Sequence, residues 1–196
     1  SAARFCEARV WSGFNMVNSQ MGQYLDYAMG ENLTHRMPLW IKPDKKLGVS
    51  DVIGMMRNYF QGTPMDMTKD IGAGPYGSTV RWRPMEWQLD GGKYINERAI
   101  STQQTGFSFV AQSRSWLPDP VGGINWFGVD DTYYTVYSPM YCGMTKVPET
   151  FAVGNGDIMT FSDNSAFWVF NQVTNFMYTR TNPMLPDFQS KQKELE

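Results

Sequence analysis

The stretch from Thr105 to Tyr141, TGFSFVAQSRSWLPDPVGGINWFGVDDTYYTVYSPMY, constrains the fold most, because aromatic and β-branched residues crowd it between turn signals. Phe107, Phe109 and Ala111 alternate with Ser108, Val110 and Gln112, the period of two that sends successive side chains to opposite faces of a sheet. Proline lacks a backbone donor and glycine admits positive φ, so the run from Leu117 to Gly123 breaks this strand with a turn. Ile124, Trp126 and Phe127 resume the apolar pattern as a second strand. Asp130 and Asp131 form a polar break, after which Tyr133, Thr135, Val136 and Tyr137 read as the third strand of an antiparallel meander.

Helices are expected on both sides of this sheet. Phe5, Val10, Trp11, Phe14 and Val17 recur at intervals of three and four, which predicts an amphipathic helix over Ala2 to Val17, and Ser19 to Met29 carries a second one that stops at Gly30. Ser50 supplies an N-cap oxygen and Asp51 a charge suited to the positive helix end, predicting a helix from Asp51 to Phe60. Arg81 to Leu89 reads as an edge strand, since Pro84 cannot donate within a central ladder, and the Asp90-Gly91 turn returns the chain through Tyr94 to Ser101. Ser162 or Asn164 caps a strongly apolar helix running to Tyr178, expected to be buried on more than one face, and the last seven residues begin another. The fold class is therefore α+β, an antiparallel sheet with flanking helices: residues 1–62 mostly helical, 80–142 antiparallel strands, 162–180 helical, all read as a single fragment of a larger domain.

Several function classes are disfavoured by the residue inventory. Cys6 and Cys142 are far apart with no further ligand nearby, so zinc and other metal sites are not expected. The single histidine, His35, lies in a polar loop, a poor basis for a His-dependent triad. Gly72, Gly74 and Gly77 lack the GK[ST] tail of a phosphate loop and the GxGxxG spacing, so no nucleotide cofactor is expected. A net charge of −2 gives no footprint for nucleic acid or an acidic membrane, and no window reaches the ~20 apolar residues of a membrane helix. Charged residues make up only 18% of the chain against 42% hydrophobic, with 7 Trp and 14 Met, so part of the apolar surface is expected to be covered, as in a homo-oligomer. The chain begins without Met or a leader and reads as a piece of something longer.

The segments RFCEARVW (Arg4 to Trp11), IKPDKKLGVSDV (Ile41 to Val52), GTPMDMTKDIGAGPYG (Gly62 to Gly77), RWRPMEW (Arg81 to Trp87), QQTGFSFVAQSRSWLPDPVGGINWFGVDD and SAFWVFNQVTNF, in this order, resemble the dipeptidase A and secernin family of cysteine dipeptidases, its bacterial members in particular. The resemblance implies an N-terminal-nucleophile hydrolase: a propeptide is removed, the exposed cysteine attacks the peptide carbonyl, and its α-amino group acts as base. It also implies an αββα sandwich and a dipeptide substrate. That cysteine would lie in an N-terminal part of the protein preceding this chain, because the resemblance places RFCEARVW, and Cys6 with it, in mid-chain. This chain then supplies strands, covering helices and pocket wall, and is expected to be inactive alone. Ser1 as a substitute nucleophile is disfavoured, since the family uses Cys.

Within QSRSWLP, Gln112 and Arg114 are the candidate substrate-binding residues, an amide and a guanidinium able to hold a dipeptide carboxylate or an oxyanion. Structural hydrogen bonds or a salt bridge are the other reading of the same pair. Asn171 is a weaker candidate, and like Asn175 it can equally be a bridging group. The competing function is a non-catalytic binding or structural module with the same fold.

Overall fold

The computed structural model describes residues 3–80, 86–95 and 98–196, which fall into two compact units, Ser1–Thr102 and Gln103–Glu196. Among its described residues the first unit holds short helices and one hairpin joined by long turns and loops. A five-residue π-helical turn, Ala3–Glu7, leads into helix α1 (Ala8–Asn15), and a 3-10 turn, Ser19–Tyr24, leads into the short α2 (Leu25–Ala28). Trp11 fixes this pair: its ring is buried with Ala8, Met21 and Ala28, and its Nε1 donates to the Met21 carbonyl at 2.8 Å. The two predicted helices are thus present, each shorter and opened by a π or 3-10 turn.

Helix α3 spans Val49–Met56 and begins and ends earlier than expected. Ser50 does not cap it. Gly48 stands at the cap position, and the Asp51 carboxylate reaches back to accept from Gly48 N at 2.9 Å while receiving Lys45 Nζ at 3.0 Å. Its end is set by buried Asn58, whose Oδ1 accepts from Ser12 Oγ at 2.7 Å and from Phe60 N at 3.1 Å. Phe60 is wholly buried at a left-handed φ of 66°, incompatible with a continuing helix. Strands β1 (Glu86–Leu89) and β2 (Gly92–Ile95) pair antiparallel across Asp90 and Gly91, as the turn signal requires. Pro84 and the start of that predicted strand lie outside the described residues, as do two positions of its predicted partner.

The second unit carries the meander. Strand β3 (Phe107–Ser113) is followed by the one-turn helix α4 (Asp119–Gly122), strand β4 (Gly123–Val129) and strand β5 (Ser138–Tyr141), in the order β3-β4-β5, all antiparallel. The register sets Phe107 opposite Val129, Phe109 opposite Phe127 and Gln112 opposite Ile124, with Tyr141 beyond Ile124. The third strand is therefore later than expected. Asp131 explains the shift: its Oδ1 accepts from Tyr133 N and its carbonyl from Tyr134 N, both at 3.0 Å, so residues after it turn back instead of extending. Thr135 and Tyr137 then lie against Gly128, where a Cβ would stand 2.8 Å from Thr135 Cγ2, and Tyr137 Oη meets Ser108 Oγ at 2.8 Å.

Burial on β3 alternates, with Ser108 and Val110 inside and Phe107 and Phe109 outside at 61% and 53% exposure. The aromatic face of the sheet is the open one. Helix α5 (Ala166–Thr179) begins at Ser165, and its buried positions, Ala166, Thr174 and Met177, form a single stripe. Burial on more than one face is thus not found: Phe167, Val169 and Phe176 are exposed. Helix α6 spans Thr181–Leu195, longer than the seven residues expected. Pro183 falls in its first turn, where no intrahelical donor is lost, and Gln192 Nε2 anchors its far end to the carbonyls of Thr135 at 2.8 Å and Tyr133 at 3.3 Å.

Candidate functional site

Arg114 sits at the corner where β3 ends. Its backbone N donates to the Gly122 carbonyl at 2.7 Å and its carbonyl receives Leu117 N at 3.0 Å, closing the Leu117 to Gly122 loop on itself. The loop is pinned from the far side, since Cys142 N donates to Gly123 O at 3.0 Å and Gly143 passes so near Pro120 that a Cβ would be 2.6 Å from its carbonyl oxygen. On this frame the guanidinium donates through Nη2 to the Val121 carbonyl and lies 5.8 Å from the centre of the Tyr141 ring. Its Nε is buried with no partner among the described residues. A cavity of about 370 Å³ adjoins it, lined by Ser113, Arg114, Ser115, Leu117 and Asp119. A guanidinium lining such a cavity suits a carboxylate or an oxyanion.

Gln112 reaches the same end of the sheet. It occupies the cross-strand row Gln112, Ile124, Tyr141, so the ring beneath Arg114 is two strands from its own side chain. Its Oε1 accepts from Trp126 Nε1 at 3.3 Å, and it does not line the Arg114 cavity.

Asn171 is elsewhere. Its Nδ2 donates to Asp130 Oδ1 at 3.3 Å, and it receives Asn175 Nδ2 on its backbone carbonyl at 2.8 Å and on Oδ1 at 3.2 Å. It lines a different cavity, of about 380 Å³, with Asp157, Ile158, Phe167 and Trp168. Asp130 stands six residues beyond Ile124, which is about 20 Å at the rise of a strand. Gln112 and Arg114 are thus brought to one end of the sheet, and Asn171 contacts Asp130 just past the other end of β4.

The acidic pair read as a polar break is buried. Asp131 is inaccessible and its Oδ2 accepts from Tyr178 Oη at 2.7 Å. Burial, reinforced by the Asp131 charge, holds the Tyr178 phenol far above the usual tyrosine range, so it stays a donor.

Neither cysteine is bonded to another: Cys6 and Cys142 are free and exposed. Arg9 Nη2 lies 3.9 Å from Cys6 Sγ, and His35 Nδ1 contacts Asp26 at 3.0 Å on the surface. Among the described residues no cluster of His, Cys, Asp or Glu is fit to hold a metal ion, and no helix is long and apolar enough to cross a membrane.

The strand meander and the helices around it give an α+β fold, and comparison with known proteins gives the family. The model described as Peptidase family C69 matches residues 1–194, and the chain belongs to that family. A protein of Salmonella dublin described as a probable dipeptidase is 29% identical over 136 residues, covering 69% of this chain and 25% of that protein. A probable dipeptidase of Latilactobacillus sakei is 24% identical over 143 residues, 73% of this chain and 25% of its own length. The alignments thus span about a quarter of each curated relative.

Proposed function

We propose that this chain is part of a cysteine dipeptidase of the N-terminal-nucleophile type, with the nucleophilic cysteine in a segment outside this sequence and Arg114 receiving the carboxylate of the dipeptide or the oxyanion of its cleavage. The observation that carries the reading is the Arg114 guanidinium, held by a closed loop, 5.8 Å from the centre of the Tyr141 ring and lining a cavity. A preorganised donor of this kind stabilises developing negative charge without reorganising at the moment of reaction. In that mechanism the thiolate adds to the peptide carbonyl, the amine leaves, and water releases the acyl group. The open aromatic face at Phe107 and Phe109 supports the αββα sandwich, because such a face is suited to packing on a second sheet.

The same open face also favours the second reading, a binding module that uses the fold without chemistry. Dipeptide turnover separates the two. The chain alone is expected to be inactive and the complete protein active; robust turnover by the chain alone overturns the missing-nucleophile reading, and a complete protein inert toward all dipeptides favours the module.

A further inference from the structure

Asp130 is 4% exposed, yet among the described residues its Oδ2 has no partner and its Oδ1 receives only the 3.3 Å donation from Asn171 Nδ2. A carboxylate buried with so little compensation is costly. A second orphan lies on α5, the helix whose Asn171 contacts Asp130. Thr174 is 1% exposed and its Oγ1 has no partner among the described residues. Asn171, Thr174 and Tyr178 follow at intervals of three and four on α5 and so share one face. The first touches Asp130 and the last touches Asp131, which sets Thr174 between those contacts, on the face turned to the acidic pair. Asp130 is also held at a left-handed φ of 67°, with its N donating to Gly106 O at 2.9 Å, a conformation rare for a non-glycine residue.

We propose that Asp130 Oδ2 and Thr174 Oγ1 are ligands of a small monovalent inorganic cation bound between the end of β4 and α5. Both groups are buried, which suits a ligand as small as an ion. A hydroxyl and a carboxylate oxygen form a hard, oxygen-only donor set. A water molecule meets the hydrogen-bonding need of both orphans but leaves the charge uncompensated, whereas a cation meets both. Divalent ions favour several carboxylates, and here Asp131 is already engaged by Tyr178 Oη and Tyr133 N. The cavity that Asn171 lines reaches the residue in contact with Asp130 and gives a route of approach. This site is separate from the Arg114 corner and needs no assumption about the substrate.

The test compares this chain in rubidium chloride, potassium chloride and tetramethylammonium chloride at equal ionic strength. Rubidium and potassium are expected to raise Tm by about 3 °C over tetramethylammonium, as binding to the folded state alone requires. A crystal grown with rubidium is expected to show an anomalous peak within coordination distance of Asp130 Oδ2 and Thr174 Oγ1. Asp130→Asn is expected to abolish the difference in Tm and Thr174→Val to reduce it. Equal Tm in all three salts, or a water without anomalous signal at that point in the wild-type crystal, overturns the proposal even if Asp130→Asn fails to fold.

Discussion

Tyr178 Oη donates to Asp131 Oδ2 at 2.7 Å, joining α5 to the turn that follows β4. The bond places a charged acceptor out of water, where a hydroxyl contributes more than it does at a surface.

Tyr178→Phe removes that donor and leaves the carboxylate under-satisfied, so equilibrium urea denaturation is expected to show a loss of about 2 kcal/mol. The pH dependence follows from the raised phenol. The folded chain holds this proton more tightly than the unfolded one, so the contribution is fully present below the ordinary tyrosine range and declines as pH rises above about 10. Tyr178→Phe should flatten that alkaline decline; an unchanged slope would show that other groups cause it.

Gly143 lets two turns meet. A methyl there would stand 2.6 Å from Pro120 O and 2.7 Å from its Cα, atoms of backbone that cannot rotate away. Gly143→Ala should therefore cost about 2 kcal/mol or more, read as a lower midpoint in urea. Because Pro120 belongs to the loop that frames Arg114, a variant of wild-type stability would show that this loop is less constrained than its contacts indicate.

Phe107 and Phe109 form an open aromatic row, with Phe107 stacked on Phe127 at 5.8 Å. The paired change Phe107→Ser and Phe109→Ser removes apolar area from the exposed face without opening the buried one. Light scattering at high concentration should show association in the parent chain and less in the variant. A parent chain that stays monomeric counts against an interface on this face.

The meander was legible because alternation and turn chemistry act locally: the period of two from Phe107 to Gln112 and the Asp90-Gly91 pair each specify their own geometry. The third strand was misplaced because Tyr133 to Tyr137 carries strong β-propensity, which the Asp131 turn and packing on Gly128 override. Helix α3 starts earlier than its sequence pattern indicates for a related reason, since Asp51 and not Ser50 accepts from the cap-position N–H of Gly48. Which face of β3 is open is a tertiary fact, and alternation alone cannot say it. Gln112 and Arg114 stood out through their position at a strand end. The burial of Asp130 and Asp131 did not, because an acidic pair in a turn has the composition of a solvated loop.

Arg114 is the residue on which the functional reading depends, and it also donates to Val121 O, so a structural role and a substrate role must be separated. The most direct measurement is kcat/KM for dipeptides in the complete protein carrying Arg114→Ala, taken together with its Tm. The account predicts a fall of about 100-fold or more with Tm within about 2 °C of the parent. An unchanged kcat/KM would contradict it, and so would a loss of activity matched by a collapse in Tm.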